Sequence, residues 1–274
     1  MVLSYSGKPQ ALICDLGGTV IDHGSHGPVM PFIEVFKRHG VTVTAEETRA
    51  FMGVSKRQHF DEIGNLDSVG QRWRDVHGAP FDGSSAEADA MFEEFMDLQR
   101  AAVRASCEPI AGVPDVIAAC RARGLKFGCT TGYPSELANI CVAEMKTRGL
   151  EMDAIVSSSD VPKGRPEPYQ CLQSMIALEV WPAAACINVD DSVFGVTGGV
   201  NAGMWSIGIA VTGNEFGMTV AEVQALAPDD FAERRVAAYK RLEAAGAHFV
   251  IDSIADILPC LETIEARLAD GAGP

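Results

Sequence analysis

Three features are scarce or absent in this sequence: basic charge, long apolar runs and paired cysteines. The 22 basic residues are outnumbered by 37 acidic ones, for a net charge of −15. A nucleic-acid partner is therefore not expected, because phosphate contacts need a basic surface. No apolar run approaches the ~18 residues of a membrane helix, and the first residues lack a signal-peptide pattern. The default expectation is a cytoplasmic protein without membrane contact.

The cysteines also argue by absence. The chain has eight of them, but none forms a C-x-x-C pair, and several fall inside apolar runs. We interpret them as small buried hydrophobic residues in a reducing compartment, and expect neither a disulfide framework nor a zinc site.

The apolar runs that are present are short, and most of them alternate with helical patterns. Runs that are continuously apolar are typical of strands buried on both faces of a parallel sheet. The pattern predicts an α/β fold with a doubly wound, Rossmann-like parallel sheet. The strands are expected at Ala11–Cys14, 125–131, 154–160, 185–191, 204–210 and 248–253.

Residues 22–104 interrupt this alternation, since they read as helices without a convincing strand. We predict a helical cap domain there, inserted into an α/β core formed by 1–21 and 105–274. Flexible connections are expected near 22–28 and 107–112. No internal repeat is visible.

Two capping boxes mark helix starts within the insert. Thr44 with Glu47 is one, and Gly53 is a plausible stop for that helix. Ser55 with Gln58 would be the other, so that Lys56 begins a helix and His59 lies on the same face.

Polar residues cluster where the predicted strands end. Asp15, Thr131 and Asp191 lie at or just past strand ends, which meet at one edge of a parallel sheet. Lys163 and Arg165 follow another strand and are expected at the same edge. A carboxylate can attack phosphorus, and two carboxylates with carbonyl oxygens suit Mg²⁺. The combination predicts phosphoryl transfer to an aspartate.

The segments "DLGGT", "TTG", "KGRP" and "VDDS" occur in the order of the four motifs of the haloacid dehalogenase superfamily. The chain resembles that superfamily of phosphotransferases. Its phosphatases usually carry an acid two residues after the nucleophile, where this chain has Gly17. Losing such a general acid typically costs about 10²–10⁴-fold in rate. Either the protein is inactive, or its leaving group does not take its proton from this position.

Lys56 can stabilise the leaving group instead. The helix dipole disfavours an ammonium at a helix start, but only by about 0.3–1 kcal/mol, so burial or a neighbouring cation must lower its pKa further. A neutral amine forms a Schiff base with a carbonyl, and a protonated imine accepts the electrons of a breaking P–C bond.

The segment containing Met52, Gly53, Lys56 and His59 has the pattern M-G-x-x-K-x-x-H. With "TTGY", "DVPKGRP", "NAGMW" and "GAHFVID", it makes the chain similar to the phosphonatase branch of the superfamily over nearly its whole length. The resemblance implies hydrolysis of phosphonoacetaldehyde to acetaldehyde and phosphate, in phosphonate degradation.

The same resemblance assigns roles to residues. Asp15 would accept the phosphoryl group and, with the Gly17 carbonyl and Asp191, bind Mg²⁺. Lys56 would form the Schiff base. The remaining implied residues, which hold the phosphoryl group or line the pocket, are Thr131, Gly132, Arg165, Gly18, Ser25, Met52, His59 and Tyr133. A homodimer joined through the caps is also implied, with the amphipathic segment "PFIEVFKRHG" as a plausible contact face.

The chain departs from the family pattern at several positions. Asp190 replaces a glycine, and Gly195 replaces an aspartate that would steady the metal's surroundings. Alternation along a strand leaves open that Asp190 points to the opposite side from Asp191. Ser25 replaces a cysteine-type residue and is flanked by His23 and His26, while Lys163 adds charge beside Arg165. These changes predict a shifted substrate preference or weaker Mg²⁺ binding, which full activity at low metal would contradict.

Three functions therefore stay open on sequence grounds. The first is phosphonoacetaldehyde hydrolysis through Lys56. The second is hydrolysis of another carbonyl phosphonate, or of a phosphate ester, on the same scaffold. The third, favoured by Gly195, is a catalytically weakened binding relative.

Overall fold

A single parallel sheet of six strands organises the computed structural model, which describes residues 5–274. Residues 1–4, the beginning of the predicted core domain, lie outside the described residues. The strand order is β3-β2-β1-β4-β5-β6. The strands are β1 (Ala11–Asp15), β2 (Lys126–Thr131), β3 (Ala154–Ser157), β4 (Cys186–Asp190), β5 (Trp205–Ile209) and β6 (Phe249–Ile251).

The doubly wound topology predicted from the apolar runs is confirmed. Every residue of β1, β4 and β5 is buried, as expected for strands covered on both faces. The strand order reverses between β1 and β4, which creates a crevice at their carboxyl ends. The strands β2 to β6 are each slightly shorter than predicted, whereas β1 extends one residue further, to Asp15. Ser158–Asp160 forms a 3₁₀ turn instead of extending β3.

Six helices separate β1 from β2, and the others lie between or after the later strands. The helices are α1 (Val29–Arg38), α2 (Ala45–Arg49), α3 (Lys56–Asn65), α4 (Asp67–His77), α5 (Ala86–Ala105), α6 (Val113–Ala122), α7 (Ser135–Thr147), α8 (Tyr169–Ala177), α9 (Val193–Asn201), α10 (Val220–Ala225), α11 (Pro228–Ala244) and α12 (Leu258–Ala269).

The predicted capping boxes had different outcomes. Thr44 and Glu47 form both hydrogen bonds of a capping box at α2. The second box was wrong: Ser55 has the extended backbone of an N-cap, but its side chain makes no capping hydrogen bond. Helix α3 nevertheless begins at Lys56 as predicted. Gly53 does not end α2, which stops at Arg49.

An aromatic cluster holds α1, α3 and α5 together. Phe32 stacks on Phe95 with ring centroids 4.2 Å apart, and Phe36 lies 5.4 Å from Phe60. All four rings are fully buried. The apolar face of α1 is therefore packed inside the chain, and a contact of this segment with a second copy stays a prediction.

The two connections to this helical segment, predicted to be flexible, are bonded to each other. The backbone N–H of Asp22 donates to the Glu108 carbonyl at 3.1 Å, and that of Ile110 donates to the Val20 carbonyl at 2.9 Å. Between them, Ile21 and Pro109 form an antiparallel bridge.

The eight cysteines are all free and buried. Among residues 5–274, no helix combines the length and the apolar composition that crossing a membrane requires.

Candidate active site

The carboxyl ends of β1, β2 and β4 meet beneath the segment that leads into α3. Asp15 is the last residue of β1, Thr131 is the last of β2, and Asp191 directly follows β4. A cavity of about 30 Å³ lies between these strand ends and α3. Its lining comprises Asp15, Gly17, Ser25, Pro28, Met52, Gly53, Lys56, Thr131, Gly132, Tyr133, Arg165 and Asp191. Of the predicted site residues, Gly18 and His59 are outside this lining.

Asp15 and Arg165 form the ion pair at the base of the cavity. Arg165 Nη1 lies 2.7 Å from Asp15 Oδ1, and both residues are buried. Arg165 Nη2 also donates a hydrogen bond to the Thr130 hydroxyl at 2.5 Å. Burial raises the pKa of Asp15 to about 6, although the Arg165 charge opposes the shift. Burial lowers the pKa of Arg165, but the charges of Asp190 and Asp15 outweigh it and the net shift is upward.

Asp191 faces Asp15 from the neighbouring strand end. Its Oδ2 accepts a hydrogen bond from the backbone N–H of Asn214 at 2.7 Å. Burial, and then the charge of Asp15, raise the pKa of Asp191 well above its ordinary value. Gly18 has φ +81°, and a Cβ there would lie 2.0 Å from Asp191 Oδ2. Gly18 therefore makes room for this carboxylate from behind instead of lining the cavity.

The turn after β2 lies close to residues 53–54, which precede α3. The Thr131 hydroxyl accepts a hydrogen bond from the backbone N–H of Tyr133 at 3.1 Å. A Cβ on Gly132 would lie 2.5 Å from the Val54 carbonyl oxygen, and one on Gly53 would lie 2.4 Å from the Ser192 hydroxyl. Only glycine permits both approaches, so these two positions let residues 53–54 lie directly on the strand ends.

Lys56 is the cation of the cap side. It is only 4% exposed, and its Nζ lies 5.0 Å from the Tyr133 ring centroid and 5.9 Å from that of Phe32. Within the described residues it makes no salt bridge. Burial, assisted by Arg165 and opposed by Asp15, lowers its pKa to about 8. About one tenth of the amine is therefore neutral at pH 7.

His59, predicted as a catalytic residue, does not reach the cavity. It is fully buried, and its Nε2 donates to the Thr48 carbonyl at 2.6 Å. Its ring packs on Phe32 with centroids 4.2 Å apart. Burial, and then the nearby Lys56, lower the pKa of His59 well below its ordinary value. His59 is thus a neutral residue that supports Phe32, which in turn faces Lys56.

Ser25 and Met52 do line the cavity, as predicted. Ser25 is buried and has φ +52°, in a tight turn that Asp22 closes by accepting a hydrogen bond from the Gly27 N–H at 2.8 Å. His23 and His26 flank Ser25 in sequence but are outside the lining.

The expectation about Lys163 was wrong, and the orientation of Asp190, which the sequence left open, is decided by the structure. Lys163 does not add charge beside Arg165, because its side chain is 65% exposed and pairs with Glu167. Asp190 does not turn away from the site, because its Oδ2 lies 3.2 Å from Arg165 Nη2.

Sequence reasoning missed Thr130, Pro28 and Asn214. Thr130 adjoins Thr131 in "TTG", so the doubled threonine was an available signal. Asn214 lies in the loop after β5, where no motif marks it.

Comparison with known proteins agrees with this arrangement. The sequence pattern of the haloacid dehalogenase-like hydrolases matches residues 12–209. The phosphonoacetaldehyde hydrolase of Paraburkholderia phytofirmans is 43% identical over 266 residues, which cover 97% of this chain and 98% of that protein. The Klebsiella pneumoniae enzyme of the same name is 42% identical, with 96% and 98% covered.

A solved structure is similar over the whole chain. The crystal structure of a phosphonoacetaldehyde hydrolase-like protein from Oleispira antarctica superimposes with a TM-score of 0.96 at 34% identity, covering 100% of this chain and 99% of that one. The predicted fold class, with helices inserted after β1, is confirmed. The chain belongs to the haloacid dehalogenase-like hydrolase family, as a homologue of phosphonoacetaldehyde hydrolases.

Proposed function

We propose that this enzyme hydrolyses the P–C bond of phosphonoacetaldehyde, or of a close carbonyl phosphonate, to acetaldehyde and phosphate. The observation that carries the proposal is the buried amine of Lys56, with its pKa lowered to about 8, on the same cavity as Asp15. Gly17 stands where an acid would be needed for ester hydrolysis. The names of the relatives at 42–43% identity support the substrate.

The reaction begins with the amine. Neutral Lys56 Nζ adds to the aldehyde carbonyl, and the resulting carbinolamine takes up one proton from solvent and loses water, which leaves a protonated imine. A carboxylate oxygen of Asp15 then attacks phosphorus while the P–C bond breaks. The electrons of that bond move into the imine, so the departing group is an enamine on Lys56. Protonation at carbon and hydrolysis release acetaldehyde and the amine, and water releases phosphate from the aspartyl phosphate.

The residues around the reacting atoms divide the remaining work. Arg165, Thr131 and Gly132 hold the phosphoryl oxygens, and the guanidinium offsets their charge. Tyr133 and Phe32 surround the amine with aromatic rings, which limits its hydration and favours the neutral form.

The donor set at the strand ends suits Mg²⁺. Asp15 and Asp191 are two buried carboxylates that face each other without sharing a cation, and the Gly17 carbonyl oxygen is a third hard donor. Mg²⁺ bound there would neutralise charge on the phosphoryl group. Asp15, Gly17 and Asp191 are the proposed protein ligands.

Entry of the substrate requires movement. The cavity of about 30 Å³ has room for about one or two water molecules. We therefore propose that residues 22–104 act as a cap domain that opens from the core of 1–21 and 105–274, admits the phosphonate and closes over it.

Assembly and location complete the proposal. The chain forms a homodimer joined through the caps, and the exposed apolar side chains of Met30 on α1 and Val76 on α4 support this contact. Eight free thiols support a reducing, cytoplasmic location.

Mass spectrometry after borohydride reduction tests the chemistry. With phosphonoacetaldehyde, we expect an ethyl group on Lys56, or a phosphonoethyl group where reduction precedes P–C cleavage. Lys56→Met should lose the adduct and at least about 10²-fold of the phosphate release. Lys163→Met is the matched control and should change neither, since Lys163 lies on the surface.

The alternatives give different results in the same experiment. Turnover of phosphate esters without any lysine adduct would contradict the proposal in favour of an ester hydrolase. Binding of the phosphonate without adduct or turnover would instead identify a non-catalytic relative.

A further inference from the structure

Asp190, the last residue of β4, is a fully buried carboxylate beside the site. Its Oδ1 accepts hydrogen bonds from the Ser192 backbone N–H at 3.0 Å and from the Ser192 hydroxyl at 2.8 Å. Its Oδ2 has no hydrogen-bond donor of good geometry within residues 5–274. The group that compensates this oxygen is Arg165, whose Nη2 lies 3.2 Å away.

Arg165 is thus held by two carboxylates that play different parts. Asp15 is 2.7 Å from Nη1, but it must form a bond to phosphorus during the proposed reaction. Asp190 forms no bond to the substrate in the proposed reaction, so its ion pair with Arg165 persists throughout. The Thr130 hydroxyl provides a third, neutral contact at 2.5 Å.

Gly195 makes room for the Asp190 carboxylate. A Cβ at this position would lie 1.9 Å from Asp190 Oδ2 and 2.0 Å from its Cγ. Gly195 lies in the first turn of α9, and glycine inside a helix costs roughly 1 kcal/mol relative to alanine. Space, not backbone freedom, therefore requires glycine here. A longer side chain at 195 would enter the volume that Asp190 now fills.

We propose that Asp190 is a positioning residue that orients the Arg165 guanidinium toward the phosphoryl group, and that Gly195 exists to admit it. The inference rests on the proposed phosphoryl transfer at Asp15. A carboxylate brought from position 195 into the same volume could replace that of Asp190.

Calorimetric titration with inorganic phosphate, in the presence of Mg²⁺, tests this directly. Asp190→Asn keeps an acceptor for Ser192 but removes the charge that faces Arg165. We expect its phosphate Kd and its KM for phosphonoacetaldehyde to rise at least about tenfold, as for loss of a charged hydrogen-bond partner. Reductive trapping of Lys56 with acetaldehyde, which has no phosphonate, should be unchanged.

Two controls separate positioning from general stability. Asp153→Asn changes a carboxylate that directly precedes β3, at the amino ends of the strands, and accepts a hydrogen bond from the Phe127 N–H at 2.7 Å. This variant should leave phosphate binding unchanged. The double variant Asp190→Gly/Gly195→Asp returns a carboxylate from α9. It should recover phosphate binding to within about threefold of the unaltered chain, inside the spread expected for a moved ionic contact.

The result that overturns the proposal is a folded Asp190→Asn variant with unchanged phosphate Kd and KM. Equal losses in phosphate binding and acetaldehyde trapping would also overturn it, because they indicate a structural role. If Asp190→Asn does not fold, the double variant decides: folded without recovered phosphate binding, it refutes the proposal. Failure of the proposed function is distinct, since it would appear as phosphate binding by the unaltered chain without lysine adduct or phosphonate turnover.

Discussion

The two buried cations of the site, Arg165 at the strand ends and Lys56 on the opposite side of the cavity, differ in protonation. At the strand ends, Asp15 and Asp190 are both paired with Arg165, so the cation stays charged although it is buried. Across the cavity, Lys56 is equally buried but faces aromatic rings, and its pKa falls to about 8. Burial alone therefore does not decide protonation. A buried cation is retained where carboxylates contact it and is weakened where they do not.

The largest effect is expected when only the strand-end side of the site, which carries Asp15, is altered. Asp15→Asn removes the phosphoryl acceptor, and phosphate release should fall by at least about 10⁴-fold, as for loss of a catalytic nucleophile. Imine formation at Lys56 should continue, because the variant leaves the amine in place. Reduction with borohydride should then yield the phosphonoethyl adduct of Lys56 in place of the ethyl adduct. Loss of both adducts would show that the two sides of the site are not separable.

The second prediction sharpens the difference in protonation. The rate of Lys56 trapping by acetaldehyde and saturating borohydride should rise roughly tenfold between pH 7 and pH 9, because the neutral share of a group with pKa about 8 rises over this range. The sign is upward, since only the deprotonated amine attacks. A midpoint near the ordinary lysine value of about 10.4 would place the amine in water and contradict the comparison.

The third prediction concerns the close contact between Gly132, after β2, and Val54, which a single added methyl group should disrupt. Gly132→Ala would put a Cβ 2.5 Å from the Val54 carbonyl oxygen and should hold the cap away from the strand ends. Overpacking of this kind costs about 1–3 kcal/mol, so kcat/KM for phosphonoacetaldehyde should drop roughly tenfold. Gly164→Ala is the matched control, since a Cβ there meets nothing closer than 3.7 Å. Equal activity of the two variants would refute a closing role for this contact.

The smallest effect concerns the like charges of the core. Burial, and then the charge of Asp15, raise the pKa of Asp191, so a cation between the two carboxylates should stabilise the folded chain. At 100 times its Kd, Mg²⁺ should raise the melting temperature by roughly 5 °C. Asp191→Asn should abolish most of this rise in thermal unfolding, and an unchanged rise would exclude Asp191 as a ligand.

Local sequence determined the fold class and most of the site. Short apolar runs separated by helical patterns specify a parallel sheet, and carboxylates or hydroxyls directly after such runs must reach one edge of it. Asp15, Thr131 and Asp191 can be placed in this way, and Gly17 together with Lys56 indicates imine chemistry from the sequence alone.

Only the tertiary structure decided how the side chains meet. In the structure Asp190 contacts Arg165, Lys163 lies on the surface, and His59 packs against Phe32 away from the cavity. The physical reason is that orientation, burial and pairing depend on elements far apart in the chain. The vacant side-chain volume at Gly195, which Asp190 fills, shows this directly, because neither residue by itself reveals that the other makes its position possible.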